Sequence, residues 1–145
     1  MFKLGLTTGS SPVELYRALV ALYKAGEVSF ANVEIYSIDE YYPAPADSQS
    51  RNRRLYEELV AKVDVKKENV YIPKLTEILD SDAVSEFCAK YDEMASGLDL
   101  LVMGTGEKGQ IGFNEAGASE NSRLFCPSLR EFSLPNTITS PQLLT

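Results

Sequence analysis

The chain has 145 residues, 44% apolar and 24% charged, a balance that describes one globular domain with material for a real core and excludes a disordered chain. Its formal charge of −7 and sequence pI near 4.6 argue against a nucleic-acid or anionic-membrane surface, which needs a basic footprint, while leaving room for a small phosphate bound locally.

The predicted elements alternate. "FKLGL" reads as a short apolar strand running into the turn "TTGSSP", after which Leu15, Tyr16, Leu19, Leu22 and Tyr23 recur at helical spacing. Pro12 fits the first helical turn, where its missing N–H costs nothing, and Gly26 is the expected C-cap. "VEIYSI" is the second strand. Beyond the Pro-rich loop "YYPAPADSQS", Leu55, Leu59, Val60 and Val63 mark a second helix, and "NVYIP" a short third strand. Residues 80–96 then carry Val84, Phe87, Cys88, Tyr91 and Met94 or Ala95 on one stripe, with Asp80 or Ser81 as cap, before a fourth strand in "LDLLVM". This alternation predicts a three-layer α/β/α domain with a mainly parallel, doubly wound (Rossmann-like) sheet and right-handed crossovers. From Leu124 onward the periodicity is lost among three prolines, so residues 124–145 stay unassigned, as a truncated or diverged part of the single domain.

Cys88 and Cys126 are too few and too unpatterned for a disulfide framework or a zinc site and read as thiols in a reducing compartment. No apolar run approaches the ~20 residues that span a bilayer, and no signal-peptide pattern follows Met1, so a cytoplasmic location is expected.

Ligands of open parallel sheets bind outside the carboxyl ends of the strands, and three such ends here carry polar residues of interest. In "TTGSSP", backbone N–H groups, hydroxyls and a helix start converge, the anatomy of an anion site, although an ordinary N-cap turn would read the same way. In "SIDEYYP", a carboxylate at a strand tip can be raised by partial burial toward the pKa of a useful base; a capping acid in a turn is the commoner outcome. Strand pleating sends Asp39 and Glu40 to opposite sides, so at most one faces the crevice. In "GTGEKGQIGFNE", Gly104, Gly106 and Gly109 satisfy G-x-G-x-x-G, but no helical period follows and the motif sits on the last strand, which disfavours a dinucleotide-binding oxidoreductase. The chain contains no histidine, the side chain most used for proton transfer near neutral pH.

Together "LGLTTGSSPVELYRALV", "YKAGEVSFANVEIYSIDEYYP", "VDVKKENVYIP" and "GTGEKGQIGFNEAGASENSR" resemble the glucosamine-6-phosphate deaminase/isomerase family over residues 4–123, in the family's order. The 6-phosphogluconolactonases share the fold, but "DEY" and "FNE" resemble the deaminase side. The resemblance implies that an amino-sugar phosphate is opened, isomerised through a C1–C2 enolamine and hydrolysed to fructose 6-phosphate and ammonia, with no metal and no cofactor. It implies that Thr8, Gly9, Ser10 and Ser11 hold the phosphate and that Asp39 is the base. The partner is then a small sugar phosphate, with no nucleic acid or membrane, and association with further copies of the chain is the family's habit.

The last loop departs from the family's G-x-G-x-D-G-H-I-x-F-N-E, in which His assists ring opening and two carboxylates orient it. Lys108 stands in place of the Asp and Gln110 in place of the His, while Glu115 is kept. Gln110 can hydrogen-bond to a ring oxygen but cannot exchange a proton. A deaminase with weakened ring opening is therefore implied, and a sugar-phosphate binding module that has shed turnover is the alternative. Arg17, Arg51, Arg53, Arg54 and Arg123 are the available phosphate partners, although for each taken singly a solvated surface position is the usual outcome.

Overall fold

A computed structural model describes residues 1–41, 46, 50–75, 80–105 and 109. Four parallel strands, β1 (Phe2–Leu6), β2 (Val33–Ser37), β3 (Val70–Tyr71) and β4 (Leu100–Val102), form one sheet in the order β3-β2-β1-β4. β1 pairs with β2 from Phe2↔Val33 to Leu6↔Ser37 and with β4 from Leu4↔Leu100 to Leu6↔Val102. The expected parallel neighbours are thus all in place, and the chain adopts the expected α/β architecture.

Alternation along β2 separates two cores. Ile35 packs with Leu4, Leu6, Tyr16, Val20, Phe30, Leu55 and Leu59 on one face, whereas Tyr36 packs with Val84, Cys88, Tyr91 and Ala95 on the other. Successive side chains of a strand point to opposite sides, so a strand with a helical layer on each face is apolar throughout. The first face is covered by α1 (Val13–Lys24) and α2 (Arg53–Glu58), the second by α3 (Ser81–Met94).

The buried stripe of α1 is Val13, Tyr16 and Val20, with Leu19 and Tyr23 partly buried against the same core. Leu15 and Leu22, which the spacing assigned to that stripe, are 38% and 37% exposed. They lie seven positions apart and so share a face, but that face is turned to the edge of the core contact. Pro12 sits immediately before α1, and Gly26 follows the C-cap Ala25. At φ 74° Gly26 lets its own amide reach the Tyr23 carbonyl while Glu27 N–H reaches that of Leu22, which closes the helix as a Schellman turn. α2 is shorter than the apolar pattern: it breaks at Leu59 (φ −128°) into a 3-10 turn, Val60–Lys62, that still buries Leu59 and Val60.

Asp80 is the N-cap of α3, accepting from the amides of Asp82 (3.1 Å) and Ala83 (2.8 Å). Of the two residues left open at the other end, Ala95 is buried and Met94 is 45% exposed. Lys3 Nζ donates to the carbonyls of Met94 (3.2 Å) and Ser96 (3.0 Å), a cation at the negative end of the helix. Its backbone N–H donates to Asp99 Oδ2 at 2.8 Å, which sets the entry of β4 beside β1. Cys88 is buried in the core beneath α3. Among the described residues, no helix is long and apolar enough to cross a membrane.

The Tyr91 hydroxyl lies 2.7 Å from the Ser37 carbonyl and 3.0 Å from that of Tyr71, bracing the ends of β2 and β3 from α3. Tyr91→Phe removes this donor from a site that water does not reach and is expected to cost about 1–2 kcal/mol in urea-induced unfolding. A loss under about 0.5 kcal/mol, the size of a neutral surface change, would show that the hydroxyl braces nothing.

Candidate active site

The strand order β3-β2-β1-β4 means that the chain steps outward from β1 to β3 and returns to the other side of β1 for β4. The sheet's switch point therefore lies between β1 and β4, where the connections diverge to opposite faces and leave a crevice at the carboxyl ends. "TTGSSP" leaves β1 there, and Met103–Thr105 and Gly109 follow β4.

The turn is shaped by Gly9, whose φ of 81° is unfavourable for any residue with a side chain. A Cβ at Gly9 would also stand 3.1 Å from Arg51 Nη2, so the glycine lets the guanidinium close over the turn. Gly9 N–H donates to the Arg51 carbonyl at 3.3 Å, whereas the amides of Ser10 and Ser11 make no hydrogen bond to another described residue. Ser10 and Ser11 are exposed and Thr8 is buried. The Thr8 hydroxyl is committed inside the protein: it donates to Asp39 Oδ1 and accepts from Arg51 Nε at 3.0 Å.

Asp39 and Glu40 lie beyond the end of β2, and both are buried. Their surroundings separate them more decisively than pleating does. Glu40 Oε1 accepts from the amides of Tyr41 (2.9 Å) and Arg51 (3.1 Å), and Oε2 accepts from Ser50 Oγ and from Asn52 Nδ2 (3.0 Å). With two donors on each oxygen, Glu40 is a structural tie with no acceptor position left for a substrate. Asp39 is held by its backbone carbonyl, which receives Ser37 Oγ (3.1 Å) and Asn52 Nδ2 (2.9 Å). Its Oδ1 faces Thr8 and, at 3.7 Å, Arg51 Nε, while its Oδ2 is buried without a hydrogen bond among the described residues.

Burial pushes the Asp39 carboxyl above the usual carboxylate range, an effect that the Arg51 charge and the Thr8 hydrogen bond reduce and the Glu40 charge reinforces. Tyr16, on the core face of α1, donates its hydroxyl to the Thr7 carbonyl and is held neutral well above its ordinary pKa, by burial first and then by the Asp39 charge. A cavity of about 330 Å³ opens beside the turn, lined by Gly9, Ser50, Arg51, Arg53, Arg54 and Glu57. Arg53 pairs with Glu57 at 2.7 Å, and Arg17 with Glu14 at 2.7 Å.

Of the sequence-predicted residues, Thr8, Gly9, Ser10, Ser11 and Asp39 come together at the ends of β1 and β2. A Cβ added at Gly104, just beyond β4, would meet no described residue, and Gly109 takes φ 77°. Gly106, Lys108, Gln110 and Glu115, like Cys126, Arg123 and residues 124–145, lie outside the described residues. The spacing gave no reason to join Ser50, Arg51 and Asn52 to Asp39; the available signal was a polar run placed just ahead of the apolar helix at Leu55. Among the described residues, no group of histidine, cysteine or carboxylate side chains is arranged to hold a metal ion.

Comparison with known proteins agrees with this fold. Residues 1–113 match the family model described as glucosamine-6-phosphate isomerases/6-phosphogluconolactonase. The chain is 38% identical over 132 residues to a glucosamine-6-phosphate deaminase of Thermoanaerobacter sp. (strain X514), a match covering 88% of this chain and 51% of the relative. It is 34% identical over 135 residues to glucosamine-6-phosphate deaminase 2 of Bacillus subtilis (strain 168), covering 90% and 53%. Among solved structures, a monomeric glucosamine-6-phosphate deaminase superposes with a TM-score of 0.74 at 31% identity, over 84% of this chain and 51% of that one. A 6-phosphogluconolactonase from Thermotoga maritima superposes with a TM-score of 0.61 at 21% identity, over 77% and 49%, a likeness of fold alone. The chain spans about half the length of these curated relatives. With a parallel four-stranded sheet and a family-model match over residues 1–113, the chain belongs to the glucosamine-6-phosphate isomerase/6-phosphogluconolactonase family.

Proposed function

We propose that the chain binds an amino-sugar phosphate in the β1/β4 crevice and acts on it as a glucosamine-6-phosphate deaminase, with Asp39 as the base. The observation that carries this reading is the contrast within the acidic pair. Glu40 has every acceptor position filled, whereas Asp39 is equally buried yet keeps one carboxylate oxygen unengaged among the described residues. A carboxylate raised by burial and left with a spare acceptor is suited to take a proton from carbon.

On the open-chain sugar, Asp39 takes the C2 proton; the C–H electron pair becomes the C1–C2 double bond, and O1 gains a proton from solvent, giving the enolamine. Returning the proton at C1 leaves an iminium at C2, which water attacks to release ammonia and fructose 6-phosphate. The phosphate is assigned to Gly9, Ser10 and Ser11, where the two serine amides and hydroxyls are open at the start of α1. The Thr8 hydroxyl belongs to the base instead. Ring opening falls to the segment of Lys108, Gln110 and Glu115, in which Gln110 offers a hydrogen bond without acid–base exchange.

Ammonia release from glucosamine 6-phosphate, measured beside equilibrium binding of the same compound, tests the reading. Binding with slow release is expected; binding without release would make the chain a binding module, and neither would end the proposal. Asp39→Asn is expected to abolish release while leaving binding in place, since an amide cannot accept the C2 proton. Because Asp39 works only when ionised and burial raises its pKa, release is expected to fall with decreasing pH above the ordinary carboxylate range. An acid limb at the pKa of a solvated aspartate would contradict this role.

Ser10→Ala combined with Ser11→Ala is expected to weaken binding of glucosamine 6-phosphate severalfold by calorimetry; unchanged affinity would place the phosphate elsewhere. Gln110→His combined with Lys108→Asp is expected to raise turnover by as much as ~10²-fold where ring opening limits the rate. The two changes should be non-additive, because the imidazole needs its carboxylate to hold the useful tautomer.

A further inference from the structure

Arg51 comes from a separate part of the chain and lies at the middle of the site just described. Its Nε donates to Thr8 Oγ1 at 3.0 Å and stands 3.7 Å from Asp39 Oδ1, its Nη2 closes over Gly9, and its guanidinium lies 5.6 Å from the centre of the Tyr41 ring. The directions of these bonds follow from the chemistry of the groups. A guanidinium only donates, so Thr8 must accept from Arg51. The single hydroxyl proton of Thr8 is then directed at its other neighbour, Asp39 Oδ1. An oxygen that receives this proton and faces the guanidinium is fixed as an acceptor. The remaining oxygen, Oδ2, is buried and accepts no hydrogen bond among the described residues.

We propose that Arg51 is a positioning residue which, through Thr8, locks Asp39 Oδ1 as an acceptor, so that Oδ2 is the atom exchanging the proton with substrate. This rests on the reading of Asp39 as the base. The C2–H bond breaks as the Oδ2–H bond forms, the electron pair stays on the sugar, and the proton leaves Oδ2 for C1; Oδ1 keeps the Thr8 hydrogen bond throughout. Arg51 is set in turn by Glu40, which accepts from its backbone N–H, and by Gly9, whose N–H donates to its carbonyl. A lysine would keep a charge here but would lose the planar set of donors that meets Thr8, Asp39 and the Gly9 turn together.

Besides Arg51, the charged or titratable groups facing Asp39 among the described residues are Glu40 on its own segment and Tyr16 from α1; Thr8 and Asn52 are neutral neighbours. Glu40 and Tyr16 are left unchanged in the test. The Asp39 carboxyl is titrated by 13C NMR in the intact chain without ligand, its signal identified by its loss in Asp39→Asn. Arg51→Gln is expected to raise the midpoint by about one pH unit or more, Thr8→Val to raise it as well, and Arg51→Lys to recover part of the Arg51→Gln shift. In turnover, Arg51→Gln and Thr8→Val should lower kcat by roughly 10- to 100-fold with a smaller change in KM, because the base is present but misdirected. The acid limb of the rate should move upward with the NMR midpoint.

An unmoved midpoint in both Arg51→Gln and Thr8→Val, with native amide spectra, would overturn the lock. If Arg51→Gln does not fold, Thr8→Val and Arg51→Lys decide by the same criterion. Should the midpoints move as expected while the parent chain releases no ammonia, the lock stands and the deaminase reading fails instead.

Discussion

The carboxylate of Glu40 joins two stretches of chain that the sheet alone would leave apart. Strand pairing fixes where β2 ends but says nothing of where residues 50–52 lie, because a proline-containing stretch of sequence separates them. By taking donors from Ser50, Arg51 and Asn52 as well as from Tyr41, Glu40 draws that segment onto the tip of β2. Everything at the site follows from this placement. Asn52 can then reach the Asp39 carbonyl, and Arg51 can reach Thr8 and close over Gly9. A buried carboxylate is costly unless its lone pairs are filled, so removing any one donor leaves a penalty spread over the whole arrangement. Glu40 and Asp39 thus divide one dipeptide between anchoring and the proposed chemistry.

Much of this fold was legible because it is written in local pattern. Apolar runs bounded by turns gave the strands, and the pair Asp80 and Ser81 announced the start of α3 by the need of a helix for side-chain acceptors at its first amides, a need that Asp80 fills. Leu15 and Leu22 show the limit of periodicity: an apolar residue fits a stripe in sequence, but how far the core contact wraps around α1 depends on which helix packs beside it. The early break of α2 at Leu59 was hidden for the same reason, since a 3-10 turn buries the next two apolar side chains nearly as an α-helix would.

For the site, the division runs between what a strand tip dictates and what a segment distant in sequence delivers. Thr8, Gly9 and Asp39 sit at strand ends, where sheet topology alone brings them together. Arg51 is twelve positions from Asp39, and nothing in its neighbours marks it off from Arg53 and Arg54. Its proposed role depends on Glu40 accepting from its backbone, an event with no trace in composition or spacing. The stretch of sequence carrying Lys108 and Gln110 is the reverse case: its departure from the family pattern is plain in the letters.

The back-to-back placement of Ile35 and Tyr36 bears on how the domain comes apart. Ile35 belongs to the core under α1 and α2, and its immediate neighbour Tyr36 to the core under α3, where its ring stacks on Tyr71 with centroids 4.6 Å apart. Neither core can loosen without disturbing the other, because one stretch of rigid backbone serves both. Such a shared wall makes the described helices and strands a single cooperative unit, with amide exchange in β2 governed by global opening and not by local fraying. The tip of that strand carries Asp39, so the proposed base is mounted on the segment that the shared wall holds most firmly.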